Sequence, residues 1–497
     1  MSMYRHPPGV APGIIRNRPY LSTPEGGRVV LDKHMLSIWK YAHDCQLEEI
    51  LAWAQERGTN PLEVHAALKC LSKAGLLSLE EENNAEGSLS QDNGELVSVI
   101  VVSFNSREWL NTCLSSLVLQ SHSHLEVILV DNASTDGSAG WVEVNHPGVK
   151  VVPLDNPHSL ASAFNIGVEL ATGDYYLFLN PDVKLEIDAI SQLVATAREN
   201  LDCAAVAAKL KFLWAPSFLN GLGNYVGAFS WGTDIGLGHL DLGQFDGWNE
   251  VPSACFAAAL IPAQPWEEVG PLDENLPMYY EDSEWCYRAR LFGYRVAAAP
   301  AAVVYHAFSG RVPTGVETGL SSQKLRQVGY GRLRFTCKLL GFRYSFRFMV
   351  GYFIEDILSL IITMVRGRWR EFGSRLAAWS DFVRDYPEIL QKRKGIQSHR
   401  VRSDKDIFQL QKGVPLPLVW NGLPLLTMDI VRHHYIPSLA SGKTAAAQGC
   451  NEEGGLSSPE RLPSLSLKRF SEIWKIEDMA GALHRLWKYV QWVLMQP

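Results

Sequence analysis

VSVIVVSFNS, residues 97–106, is a β-branched run interrupted by one serine and followed by a small polar turn. A short apolar run with polar neighbours on both sides predicts a strand buried on both faces. Working outward, Arg107–Gln120 follows at helical period, with Leu110, Cys113, Leu114 and Leu117 on one face. Leu125–Val130 reads as a second buried strand, Ser159–Ala171 as a helix and Tyr175–Leu179 as a third strand. Strands alternating with helices predict an α/β domain with a mostly parallel sheet. Ligands of such sheets gather at the carboxyl ends of the strands.

The whole chain has 497 residues, of which 46% are apolar and 20% charged. That is ordinary globular composition. A net charge of -7 argues against a nucleic-acid partner, which would call for a basic excess. Eight cysteines are scattered with no CxxC pair, so neither a zinc site nor a secreted disulfide framework is expected. No basic head followed by an apolar run occurs in the first thirty residues. The expected location is therefore the cytoplasm, or peripheral attachment at the inner face of the cell membrane.

Composition divides the chain into seven parts. Residues 1–25 read as a flexible tail and 26–79 as a small domain. A strand at Arg28–Asp32 and helices at Lys33–His43, Leu47–Arg57 and Pro61–Ala74 give that domain a winged-helix order. Asp32 is a suitable N-cap, Pro61 suits a first helical turn, and Gly75 closes the third helix. The acid- and Ser-rich stretch 80–95 is a linker. The α/β domain occupies 96–341. Residues 342–395 predict C-terminal helices, opening with the apolar stretch Phe346–Val365. Twenty residues can span a bilayer, but Glu355 and Asp356 lie at its centre, which favours a packed or membrane-surface helix. Residues 396–469 read as an irregular linker, and 470–497 as an amphipathic helix.

Five short motifs carry the chemistry. Ser103-Phe104-Asn105-Ser106 follows the first strand, Asp131-Asn132-Ala133-Ser134-Thr135-Asp136 the second, and Asn180-Pro181-Asp182 the third. All three fall at one edge of the predicted sheet, where carboxylates suit a hard divalent cation carrying a diphosphate. Tyr280-Glu281-Asp282-Ser283-Glu284 opens a helix, whose N-terminus favours ionised carboxylates. Tyr305-His306-Ala307-Phe308 is the fifth. Taken singly, each is also what an ordinary turn or cap would carry.

In this order and spacing the series resembles the family 2 glycosyltransferases of GT-A fold, especially the rhamnosyl- and galactofuranosyl-transferase-like branch. The resemblance covers about half the chain and implies a role for each residue. Ser103, Phe104, Asn105, Asp131, Asn132, Asn165, Asp174 and Asn180 are expected around the nucleotide sugar. Asp182 and His306 are expected to hold Mg2+ or Mn2+, Asp282 to be the general base, and Glu281 to orient the acceptor hydroxyl. The implied donor is a UDP- or dTDP-sugar. The acceptor is a glycan or lipid-linked sugar of bacterial surface-polysaccharide assembly, reached by a single inverting displacement. Two alternatives stand beside this reading. The 26–79 domain resembles PqqD-type peptide-recognition domains, which would make the acceptor a peptide. A nucleotide-binding scaffold without transfer is the other. One segment departs from the family pattern: Asn156-Pro157-His158-Ser159-Leu160 lacks the expected glycine. The sequence does not fix the oligomeric state.

Overall fold

The computed structural model describes residues 3–79, 94–227, 230–308, 321–411, 414–415, 417–420 and 423–436. The amphipathic stretch 470–497 and most of the 80–95 linker lie outside the described residues.

The N-terminal unit begins with β1 (Met3–Arg5), β2 (Pro12–Ile15), β3 (Arg18–Ser22) and β4 (Arg28–Leu31). The tail expected over 1–25 is thus largely strand: β2 and β3 form an antiparallel hairpin that pairs with β4. Apolar residues Tyr4 and Leu21 are buried there, which a polar-looking composition concealed. Then come α1 (Lys33–Ala42), β5 (Cys45–Gln46), α2 (Leu47–Glu56), α3 (Pro61–Lys73) and β6 (Ser78–Leu79). Asp32 caps α1 as the sequence suggests, accepting from the Met35 amide at 2.8 Å, and Asn60 caps α3 by accepting from the Leu62 amide at 2.9 Å. A winged helix would carry a hairpin after its third helix. Here only the two-residue β6 follows among the described residues, and it pairs back onto β1.

The central domain runs β7 (Val97–Ser103), α4 (Arg107–Val118), β8 (Leu125–Asp131), α5 (Ser138–Asn145), β9 (Val149–Pro153), α6 (Leu160–Glu169) and β10 (Tyr175–Leu179). These four strands are parallel in the order β10-β7-β8-β9. All seven residues of β7 are buried, as its unbroken apolar run requires. A Cβ on Gly167 of α6 would lie 2.3 Å from Ile100, so only glycine lets this helix lie against β7.

The chain continues with β11 (Val183–Leu185), α7 (Ala189–Glu199), β12 (Cys203–Phe212), β13 (Ala215–Leu222), β14 (Asn224–Val226), β15 (Gly232–Asp234), β16 (Ala258–Pro262), α8 (Ala263–Val269), α9 (Glu281–Leu291) and β17 (Arg295–His306), of which β14 and β15 form a separate two-stranded sheet. Here β16 runs antiparallel to β10 and β12, while β17 is parallel to β12 and antiparallel to β11. The sheet is therefore mixed, with its parallel block on the β7 side, and the α/β class expected from sequence holds.

Three long helices close the domain: α10 (Ser322–Leu339), α11 (Phe342–Val365) and α12 (Trp369–Ser398). The stretch read as an irregular linker from 396 contains α13 (Asp404–Gln409), β18 (Val419–Trp420), β19 (Leu423–Leu426) and α14 (Met428–Ile430). Strand β19 lies parallel to β4, so segments about 400 residues apart complete one five-stranded sheet, β18-β19-β4-β3-β2. Val431 and Tyr435 are buried with the α3 core, and the Tyr435 hydroxyl accepts from the Leu240 amide at 2.9 Å. These elements were illegible beforehand because each is short and its partners lie hundreds of residues away.

Candidate active site

Parallel register puts Ser103 beside Asp131 at the ends of β7 and β8. The loops beyond are clasped together. Asn105 accepts from the Thr135 amide at 2.8 Å and its own amide donates to the Ser134 hydroxyl at 2.9 Å. The Asp136 carboxylate accepts from the Arg107 amide at 3.0 Å. Phe104 projects from this clasp and is 54% exposed. Ser103 Oγ and Asp131 Oδ1 are buried and make no hydrogen bond within the protein. Most such atoms in folded proteins are paired, so a polar ligand is their natural complement. Asn132 grips the departing segment: its side chain donates to the His158 carbonyl at 3.0 Å and accepts from the His158 amide at 2.8 Å. The loop without its family glycine is therefore held by two side-chain bonds.

Asp182 and His306 come from different motifs and meet across the β11–β17 pairing. His306 Nε2 lies 3.3 Å from Asp182 Oδ1 and 3.5 Å from Asn180 Nδ2. On the other side of the ring, Asn220 Oδ1 sits 2.7 Å from Nδ1. A proton on Nδ1 matches that amide oxygen, so Nε2 is the ring nitrogen turned toward Asp182. Both side chains are buried apart from a small exposed edge. A carboxylate and an imidazole are both metal-ligand types. Among the described residues no cluster of three His, Cys, Asp or Glu stands close enough to hold an ion alone. A Mg2+-like ion held by one carboxylate, one imidazole and substrate phosphates fits that donor set.

The acidic pair opens α9 after two consecutive residues in left-handed backbone, Tyr279 (φ 68) and Tyr280 (φ 70). Such conformations persist in non-glycine residues only when the surroundings enforce them. Enforcement comes from the Tyr280 hydroxyl, which donates to the Ser230 carbonyl at 2.6 Å and accepts from the Gly232 amide at 3.1 Å. Asp282 accepts from Asn224 at 2.7 Å and from the Ser283 amide at 2.6 Å. Glu281 has a buried oxygen, Oε2, with no partner. Burial raises both carboxyls above the ordinary range, and Glu281 is pushed further by the charge of Asp282.

Two predicted residues do not join the site. Asp174 stands at the start of β10, where its carboxylate accepts from the Leu96 amide at 2.9 Å. That is the opposite edge of the sheet, five residues or about 17 Å from the strand's carboxyl end. Asn165 is buried and braces the segment before α9, bonding the Leu272 amide at 3.0 Å, its carbonyl at 3.1 Å and Glu274 at 2.9 Å.

Three residues went unread in sequence. Asn220 orients His306 and Asn224 holds Asp282. The third, Asp234, is the cross-strand partner of Asn224. Burial, with Asp282 as its charged neighbour, pushes the Asp234 carboxyl up to about 7, while His306 and Lys324 pull it down. A Cβ on Gly221 would stand 3.0 Å from that of Asp234, so this glycine of Asn220-Gly221-Leu222-Gly223-Asn224 makes room for the acid, while Gly223 lets the Ser253 carbonyl approach. That glycine pattern was the available signal.

Comparison with known proteins finds a match over the first part of the α/β domain. The family described as glycosyl transferase family 2 matches residues 98–213. Among similar proteins, a Bacillus subtilis (strain 168) protein named for teichuronic acid biosynthesis, TuaG, is 37% identical over 100 residues, covering 20% of this chain and 40% of its own. Glycosyltransferase GlyG of Streptococcus pneumoniae serotype 4 is 30% identical over 108 residues, covering 21% and 36%. The chain thus spans about two fifths of these relatives. Among solved structures, TarS 1-349 of S. aureus in complex with UDP aligns at a TM-score of 0.37 with 17% identity, over 63% of this chain and 89% of that one. Ser103, Asp131 and Asp182 fall inside the family match. Asp234, Asp282 and His306 fall beyond it.

Proposed function

We propose that this chain, which carries a family 2 glycosyltransferase domain, transfers a sugar from a nucleoside-diphosphate donor to an acceptor hydroxyl in the assembly of a bacterial surface glycan. The observation that supports this most is the convergence of three groups on one sheet edge: Ser103–Asp131, Asp182–His306 and Glu281–Asp282. In this reading the Asp131 carboxylate bonds the nucleotide base and Phe104 packs on it. Asp182 and His306 hold a divalent cation, which when bound stabilises charge on the leaving diphosphate. Asp282 takes the proton from the acceptor oxygen as that oxygen attacks the anomeric carbon opposite the diphosphate, giving inversion. Glu281, kept protonated by burial, offers an O–H to the same acceptor. The reaction belongs to the cytoplasmic side, where nucleotide sugars are made.

Thermal shift tests the donor half. UDP, dTDP, GDP and CDP are each added with and without Mn2+ to wild type and to Asp182→Ala. A ligand at 100 times its Kd stabilises by about 2.7 kcal/mol. One nucleotide is expected to raise Tm in a metal-dependent way, with the effect lost in Asp182→Ala. No shift with any nucleotide defeats this reading and leaves the non-catalytic scaffold. A peptide acceptor is the second reading. It draws support from the N-terminal unit, which packs on Trp214 through the Thr23 hydroxyl at 2.6 Å, while Trp214 bonds the Ala307 carbonyl at 3.2 Å beside His306. Labelled sugar appearing in protease-sensitive product selects that reading over a glycan or lipid-linked acceptor.

A further inference from the structure

Helix α11 has two unlike faces. Its inner face is fastened to the protein: Phe348, Tyr352 and Asp356 are buried. Glu355 pairs with Arg332 of α10 at 2.8 Å. Asp356 pairs with Arg375 of α12 and accepts from Trp379 at 2.8 Å. The outer face carries Phe342, Phe346, Phe353, Ile354, Ile361 and Val365, each about half to four-fifths exposed. They recur at helical spacing along a helix about 36 Å long. An exposed apolar stripe of that extent marks an interaction surface.

The charges say what it meets. Both acids of residues 342–370 are turned inward against arginines. The exposed charged residues there are Arg343, Arg347, Arg366, Arg368 and Arg370, at the two ends of the stripe. This cationic frame sits on a protein of net charge -7. We propose that the outer face of α11 lies in the plane of an anionic lipid bilayer, with the stripe at the headgroup–acyl boundary and the arginines on lipid phosphates. Length and composition alone would permit α11 to cross a membrane. Crossing would strip Glu355 and Asp356 of their partners and set two acids near the bilayer centre. The inner face therefore selects an in-plane helix. This inference does not rest on the transferase reading.

The test is co-sedimentation of the full chain with vesicles. Phosphatidylcholine containing about a third phosphatidylglycerol is compared with phosphatidylcholine alone. Wild type is expected to sediment with the anionic vesicles and to be weakened by ~0.5 M salt. Phe346→Ser/Ile354→Ser/Ile361→Ser should lower partitioning roughly 100-fold with only a small fall in Tm, because all three side chains are about half or more exposed. Arg343→Glu/Arg370→Glu should remove the preference for anionic lipid. Equal sedimentation of wild type and triple variant overturns the proposal. So does resistance to alkaline carbonate extraction, which a spanning helix would give. A concentration-dependent dimer that ignores vesicles and is lost in the triple variant would assign the stripe to a second copy instead.

Discussion

Asp282 and Glu281 share burial at the start of one helix but differ in partners, and that difference sets their roles. Asp282 accepts two hydrogen bonds that favour its charged form, whereas Glu281 has an oxygen with none. Asp282→Asn keeps the shape and removes the proposed base, so turnover should fall about 10²–10⁴-fold with donor affinity unchanged. Single-turnover rates beside nucleotide titrations check this, and full activity would return the role to another group, Asp234 foremost. Glu281 makes a pH prediction. Its folded carboxyl is raised, so its contribution to stability is fully present below the unfolded value of about 4.3 and is lost as pH rises through the folded one. Tm should decline between mildly acidic and mildly alkaline pH, and Glu281→Gln should flatten that decline. At this scale the sequence was informative where a motif is contiguous: Asp131, Asp182, Asp282 and His306 stand out from their motifs as candidates, and the fold sets them at strand or helix ends, while the role proposed for each awaits its variant. It failed for Asn220, Asn224 and Asp234, because a side chain that orients another is recognised only by what it touches. Asp174 and Asn165 failed the other way, since a polar residue that ties two strands or loops looks like a ligand-binding one until the sheet edge is known.

Among elements, α9 carries the acids at one end and an ion network further along. Glu284, one turn in, pairs with Arg288 and with Lys338 of α10 at 2.9 Å. Asp273 binds Arg334 through two bonds of 2.7 and 2.8 Å, Lys392 of α12 at 2.7 Å, and Lys338. These cations hold its carboxyl far below the ordinary range despite burial. A buried ion whose partner is removed is costly. Asp273→Ala should therefore destabilise by about 3–5 kcal/mol in urea unfolding. A loss under about 1 kcal/mol would show that solvent or neighbouring acids replace it. The strands and helices around β7 were readable because their burial imposes a period. Helix α12 falls in the stretch read as helical from sequence, whereas α10 was not read, and the charged contacts were not legible either, since Asp273 and Lys392 stand 119 residues apart.

Across the whole molecule, the N-terminal unit and the catalytic domain share a core that joins Leu21, Val30 and Leu68 with Phe212, Trp214, Leu240 and Leu426. A Cβ on Gly27 would stand 2.2 Å from the Trp214 carbonyl, so the two units approach at backbone distance. Leu426→Asp sets a charge in that core and should expose residues 3–79 to limited proteolysis before the catalytic domain is cut; simultaneous cleavage would mean the unit does not depend on β19. None of this was legible, because the tail's apolar residues are too few to signal a fold until strand β19 arrives. That late arrival has a consequence for synthesis. Val30 leaves the ribosome long before its neighbour Leu425. At 5–20 residues per second the interval is roughly 20–80 s. Through that time the open flank of β4 is a nascent-chain liability, and a segment made early is among the last to reach its final state.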